Sequence, residues 1–240
     1  MIKKIAFFVE GYTEWYFVME YLKQIISQKG FSFKIFLGKY GSPSKPRTFS
    51  RITTSGSGTK YEALIYVSGT DSKVNSDILD QCVSLHSNGT ELIVGLKDLR
   101  GDHNGIKGTL SNLSRFENAD KTLFRPYPYV KSIISVMEIE TWFIGETCHY
   151  SKIDTRLTQS LIQKNTALIG VDPYSCVYEK IAEPAETLKN VYQLVGKTYS
   201  KKKKTTKRTV KALDYVNMYY NEKGSIQKLS EFIDTIDSFF

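Results

Sequence analysis

Three apolar runs in this chain end on acidic residues, and that recurrence constrains its fold more than any other feature. Ile5-Ala6-Phe7-Phe8-Val9 stops at Glu10-Gly11, Leu92-Ile93-Val94-Gly95-Leu96 stops at Lys97-Asp98, and a third run from Val130 stops at Glu138-Ile139-Glu140. Continuous apolar runs of this length read as strands buried on both faces, the kind found in parallel sheets covered by helices. Ligands and metals of open α/β sheets sit in the crevice outside the carboxyl ends of the strands. Topology alone therefore delivers these carboxylates to one functional edge.

Between the runs, apolar residues recur at helical spacing. Thr13 to Lys29 carries Phe17, Val18, Tyr21, Leu22, Ile25 and Ile26 on one face, with Gly30 as its C-terminal cap. Val74 to His86 and Ile106 to Phe116 are the next helices expected. Strands are expected over 2–9, Phe31–Leu37, Ala63–Val67, Leu92–Leu96 and Val130–Ile139. Gly38 to Lys60 is rich in Gly, Ser, Thr, Pro and basic residues and reads as a long loop. Beyond Trp142 the patterns turn helical, at Asp154–Gln163, Pro184–Leu194, Thr209–Tyr220 and Ser225–Phe239. The fold class expected is α/β, a mostly parallel sheet flanked by helices, over residues 1–146, with a helical, basic region over 147–240 packed on it.

The acids set the chemistry. Glu10, Asp98 and Glu138 or Glu140 at neighbouring strand ends would form a like-charge cluster that is costly unless a cation occupies it. Oxygen-only ligands favour Mg2+ or Mn2+ over zinc. Glu14 either joins the ligands or only stabilises the helix start, where negative charge complements the dipole. Trp142, at an apolar boundary, is expected to pack beneath the third strand end and fix Glu140.

A formal charge of +8 and a pI near 9.2 favour an anionic partner, nucleic acid above all. The excess concentrates in eight basic residues, Lys197, Lys201, Lys202, Lys203, Lys204, Lys207, Arg208 and Lys211. That run is either a nucleic-acid-binding surface or a solvated loop. No apolar stretch approaches a bilayer span and no signal-peptide core follows Met1-Ile2-Lys3-Lys4, so a cytoplasmic protein without membrane contact is expected. Cys82, Cys148 and Cys176 are too few and too dispersed for a disulfide framework or a structural zinc, and read as small buried apolar residues. Ser57-Gly58-Thr59-Lys60 lacks the spacing of a phosphate loop. His86 and His149 have no motif partners, and His103, beside Asp102, either orients a water or is a solvent-exposed loop residue, the commoner case in a polar turn.

The pattern Val9-Glu10-Gly11-x-Thr13-Glu14, the strand ending at Asp98 with Asp102 nearby, and Glu138-x-Glu140-x-Trp142-Phe143 resemble the Toprim-like proteins of the domain-of-unknown-function 4276 family, relatives of the catalytic domains of OLD-family nucleases. Glu179-Lys180-Ile181-Ala182-Glu183-Pro184, Leu188, the basic stretch from Tyr199 to Arg208 and Phe232 resemble that family's C-terminal pattern, so the likeness spans nearly the whole chain. It implies a Toprim-like (Rossmann-like) fold and Mg2+- or Mn2+-dependent cleavage of DNA or RNA, in bacterial defence against phage or plasmids with an ATPase partner of the AAA or ABC type. Glu10 then corresponds to the glutamate proposed as metal ligand or general acid/base, Asp98 and Asp102 to the acidic second motif, and Glu140 to the glutamate two places before Trp. With Glu14 and Glu138 these form the candidate metal ligands. Lys203 or Lys204, with Lys204 the first choice, would stabilise charge developing on the phosphate.

One departure separates the chain from that pattern. Toprim domains carry Asp-x-Asp, whereas Asp98-Leu99-Arg100-Gly101-Asp102 sets the acids farther apart, with Asn104 as a substitute ligand. Lys97 and Arg100 could instead neutralise the cluster as ion pairs. The alternative function is accordingly a catalytically degenerate module that binds nucleic acid or an ATPase.

Overall fold

The computed structural model describes residues 2–25, 30–39, 47–56, 58–100, 102–103 and 106–240, without the side chains of residues 102, 103, 106, 107 and 227. The expectations for Ile26, Lys29, Ser57, Gly101 and Asn104, and for the side chains of Asp102 and His103, lie outside the described residues.

A six-stranded sheet of order β3-β2-β4-β1-β5-β8 is built from β1 (Lys3–Val9), β2 (Phe31–Lys39), β3 (Thr48–Ser55), β4 (Tyr61–Val67), β5 (Thr90–Asp98) and β8 (Val130–Ser135). β6 (Asp102–His103) and β7 (Ile106–Lys107) form a separate two-stranded ribbon. β2, β4, β1 and β5 run parallel, and only β3 pairs antiparallel, on β2. The amides of Ile93 and Leu99 donate to the carbonyls of Tyr129 and Ser135, the same step along both strands, so β8 is parallel to β5. With α1 (Tyr12–Ile25), α2 (Asp71–Ser87) and α3 (Leu113–Phe124) between strands, this is an α/β, Rossmann-like fold with a mostly parallel sheet flanked by helices.

By compactness the chain divides into one unit of 1–97, 114–134 and 235–240 and another of 98–113 and 135–234. The division falls inside β5 and inside β8.

In the first unit, strand alternation sends Ala6, Phe8, Leu64, Tyr66 and Ile93 to one face, where they meet Val74, Ile78, Cys82 and Leu85 of α2 and Phe124 of α3. Gly95 is needed beneath α2, because a Cβ there would come within 2.8 Å of Ile78 Cδ1. The register pairs Phe8 with Tyr66 and Phe36 with Tyr66, and the three rings stack at 4.6 Å centroid spacing across adjacent strands. α1 packs on β2 and β4.

The second unit is helical beyond Ser135: α4 (Glu140–Gly145), α5 (His149–Ile153), α6 (Gln159–Lys164), α7 (Thr166–Ile169), α8 (Pro184–Gln193), α9 (Lys203–Ala212), α10 (Tyr215–Tyr220) and α11 (Gln227–Asp237). Its core includes Trp142, Tyr150, Leu188, Tyr192, Tyr199, Tyr215 and Phe232, all buried. Trp142 sits 5.6 Å from Phe232, ring to ring. Phe232, singled out in the sequence, is thus a core residue.

Several expected elements are corrected. Part of the expected loop over Gly38 to Lys60 is β3, an exposed edge strand whose Thr, Ser and Arg carry no apolar alternation. The expected helix from Ile106 begins only at Leu113, after a short 3-10 turn at Leu110–Asn112. The strand from Val130 ends at Ser135 instead of running to Ile139; Val136 and Ile139 are buried in the turn that follows. The helix expected over Asp154–Gln163 is shifted, with α5 ending at Ile153 and α6 beginning at Gln159. The helix expected over Thr209–Tyr220 is two, α9 and α10, and α9 begins inside the basic run. Of the cysteines only Cys82 is buried; Cys148 is exposed and Cys176 is half-buried. All three are free thiols.

Candidate functional site

Glu10 follows the last residue of β1, the central strand of the parallel set, and Gly11 turns the chain into α1. The turn is fixed from two sides. Gly11 N–H donates to Glu14 Oε2 at 2.8 Å, and Gly69 N–H, after β4, donates to the Glu10 carbonyl at 2.6 Å. Gly69 has φ +91°, a left-handed conformation that favours glycine. Glu14 is therefore both a first-turn group of α1 and a buried carboxylate at the strand end.

Asp98 is the last residue of β5, whose register on β1 pairs Leu96 with Val9. One carboxylate oxygen from each of Glu10, Glu14 and Asp98 lies within 4.8 Å of the others at this edge of the sheet. Oxygen donors at that spacing suit a hard divalent cation better than zinc, since neither His nor Cys joins the group among the described residues.

Asp98 also belongs to a second set of contacts. Its Oδ1 accepts from Ser135 Oγ at 2.6 Å and from the Ile139 amide at 3.0 Å, so β8 and the turn after it hold the carboxylate in one orientation. Its Oδ2 faces Lys201 Nζ at 3.5 Å. The same ammonium lies 3.1 Å from Glu138 Oε1 and 3.5 Å from Glu140 Oε2. The three carboxylates are 4, 7 and 0% exposed at their side chains, whereas Lys201 remains 43% exposed.

Glu138 is further engaged. Arg100 donates to its Oε1 at 3.1 Å and bridges to Glu183 at 2.6 Å, while the Ala185 amide at the start of α8 donates to Oε2 at 3.1 Å. Glu140 Oε1 accepts from Tyr199 Oη at 2.6 Å. Burial pushes the Glu140 carboxyl above its ordinary pKa; Lys201 opposes the shift, Glu138 adds to it, and Tyr199 opposes it again. Burial and the neighbouring Glu140 hold the Tyr199 phenol far above its usual range. Just before Glu138 the chain bends through Met137 at φ 62°, a non-glycine residue in the left-handed region, whose carbonyl accepts from the Arg100 amide at 2.9 Å.

No family model matches the chain, and no curated protein or solved structure matches it. Function has to be read from the residues themselves.

The sheet edge thus brings together Glu10, Glu14 and Asp98, and Lys201 gathers Asp98, Glu138 and Glu140. Of the two cations expected as neutralising groups, Arg100 pairs with Glu138, whereas Lys97 turns to Asp120 at 2.8 Å. The basic run divides by role. Lys203, Lys204, Lys207 and Lys211 are exposed along α9, while Thr206, Thr209 and Val210 are its buried side. Arg208 donates to the Thr198 carbonyl and lies over the Tyr192 ring at 5.6 Å. Lys202 is the exposed residue before α9, and the ammonium of Lys201 reaches Asp98, Glu138 and Glu140. Trp142 lies buried on α4, the helix that Glu140 opens. Sequence reasoning missed Tyr199 and Ser135 as carboxylate partners. Ser135 stands in no motif, and Tyr199 entered only as the first residue of the basic stretch.

Proposed function

We propose that the protein is a Mg2+- or Mn2+-dependent nuclease that hydrolyses phosphodiester bonds of DNA or RNA. The observation that carries the reading is the convergence of Glu10, Glu14 and Asp98 carboxylate oxygens within 4.8 Å at the carboxyl edge of a parallel sheet. Such a cation supplies Lewis-acid stabilisation of the phosphate and an activated water when bound. The chain's own residues then have defined tasks. Glu10, Glu14 and Asp98 offer oxygen ligands, and Ser135 and the Ile139 amide keep Asp98 oriented. Tyr199 orients Glu140. Lys201, whose ammonium lies 3.1–3.5 Å from Glu138, Asp98 and Glu140, is a better candidate than Lys204 to meet phosphate oxygens. The exposed lysines of α9 hold the strand through its backbone.

The resemblance to Toprim-like proteins agrees with this chemistry and adds an ATPase partner, a cytoplasmic location and a part in defence against phage or plasmids to the proposal. Among the described residues no helix is long and apolar enough to cross a membrane.

A second reading is favoured by one observation. Lys201 already pairs with Asp98, Glu138 and Glu140, as expected of a non-cleaving module that only binds nucleic acid or an ATPase. Incubating supercoiled plasmid and single-stranded RNA with the protein and Mg2+ or Mn2+ separates the two. Nicking that disappears in both Glu10→Gln and Asp98→Asn supports the nuclease; salt-sensitive binding without cleavage, unchanged by either substitution, supports the module.

A further inference from the structure

Within the first unit, a line of hydrogen bonds runs from a guanidinium to one of the candidate ligands. Arg47 Nη2 donates to the Ser68 carbonyl. That carbonyl and the Gly69 N–H are the two poles of one planar trans peptide and point in opposite directions, so fixing the oxygen aims the amide. The Gly69 amide donates to the Glu10 carbonyl at 2.6 Å. The Glu10 carbonyl and the Gly11 N–H are the poles of a second such peptide, and the Gly11 N–H donates to Glu14 Oε2 at 2.8 Å. Every bond runs donor to acceptor in the same sense, from a cation at one end to a carboxylate at the other. In that order hydrogen bonds polarise and strengthen one another.

The cationic end is itself held. The Arg47 guanidinium lies 3.5 Å from Asp77 Oδ2 on α2 and over the Phe49 ring of β3 at 5.6 Å, with its side chain only 12% exposed. Gly38 on β2 leaves the room for it, because a Cβ there would strike Arg47 Nη2. The middle of the line needs that hold. Gly69, at φ +91° and with nothing within 4 Å of an added Cβ, has the backbone freedom to turn its peptide over.

Resting on the nuclease reading, we propose that Arg47 is a positioning residue for the ligands of the divalent ion. Through the two peptides it fixes the turn that presents Glu10 and orients the carboxylate of Glu14. Its effect on the ion is that of a partner beyond the ligands, which sets their direction and their basicity.

The test compares wild type, Arg47→Lys and Arg47→Met in two measurements: Mn2+ uptake, followed by the EPR signal of free Mn2+, and the amide proton resonances of Gly11 and Gly69 without metal. Arg47→Met is expected to bind Mn2+ roughly 10–100-fold more weakly than wild type. It should also move both glycine resonances upfield, the direction of a weakened hydrogen bond. Arg47→Lys, which keeps a donor and the charge, recovers part of both effects. A merely structural Arg47 would lower the unfolding temperature and leave the Gly11 resonance, two peptides away, in place. That result, or wild-type Mn2+ affinity in Arg47→Met, overturns the proposal. Absence of Mn2+ uptake by wild type overturns the nuclease reading and the ion's part in the proposal, while the metal-free resonances still decide whether Arg47 orients Glu14. Should Arg47→Met not fold, Gly38→Ala, which crowds the guanidinium off the Ser68 carbonyl, is expected to give the same shifts and the same loss of uptake. Glycine resonances that it leaves unmoved count against the proposal in the same way.

Discussion

Tyr199 donates its phenolic proton to Glu140 Oε1 at 2.6 Å with both side chains buried. The bond joins the segment just before α9 to the first residue of α4, and it compensates a carboxylate that burial disfavours. Tyr199→Phe leaves that oxygen without its donor and is expected to cost about 1–3 kcal/mol of stability, read from urea unfolding.

Glu140 itself makes a pH prediction. Its folded-state pKa is raised, so the folded protein holds the proton more tightly than the unfolded chain does. Stability then falls as pH rises from the ordinary value of 4.5 through the raised one. Glu140→Gln should remove that part of the slope. Under the nuclease reading, the same variant loses nicking activity while keeping its stability at neutral pH.

Glu146 should behave in the opposite sense. Burial pushes it up, but His149, the Asp214 amide and the Asn217 side chain outweigh burial and hold the carboxyl below its ordinary 4.5. Its contribution is present above that value and is lost as pH falls toward the depressed one. Glu146→Gln is expected to lose about 1–3 kcal/mol at neutral pH and to flatten the acid limb of an unfolding series.

Lys97 and Asp120 form a buried ion pair at 2.8 Å, with Asn75 and Ser132 also donating to Asp120. Lys97→Met alone is expected to destabilise by about 3–5 kcal/mol, because the Asp120 carboxylate then stays buried without that counter-charge, and Asp120→Asn alone should also destabilise. The double variant Lys97→Met with Asp120→Asn should recover part of the loss, as thermal unfolding of the four proteins would reveal.

The exposed side of α9 is testable by salt. Lys204→Ala and Lys207→Ala should each lower the slope of log K against log salt for duplex DNA, by roughly 0.9 for every phosphate no longer neutralised, in fluorescence anisotropy titrations. Circular dichroism should stay unchanged, because Thr206, Thr209 and Val210 form the helix's buried side. A slope unaffected by either substitution would exclude α9 from the interface.

The strand ends at Glu10 and Asp98 were legible because their preceding runs are buried on both faces and apolar throughout, a pattern that strand burial imposes directly on sequence. β3 was not, because an edge strand with exposed Thr, Ser and Arg satisfies its backbone without an apolar face. Val136 and Ile139 misled in the other direction: they are buried, but in a turn, so burial alone extended the expected strand too far. Within the site, residue types and spacing pointed to the acids. The choice of Lys201 from four consecutive lysines was invisible, because the start of α9 and the fold around it decide which ammonium faces inward.

Phe239 and Phe240 reach back to the start of the sheet. Their rings meet Tyr61, Phe240 also meets Phe31, and the Phe239 carbonyl accepts from Lys3 Nζ at 3.3 Å. During translation the sheet's strands leave the ribosome long before this aromatic clasp does. The nascent sheet therefore waits with Phe31 and Tyr61 lacking their final neighbours, and that end of the strands closes last.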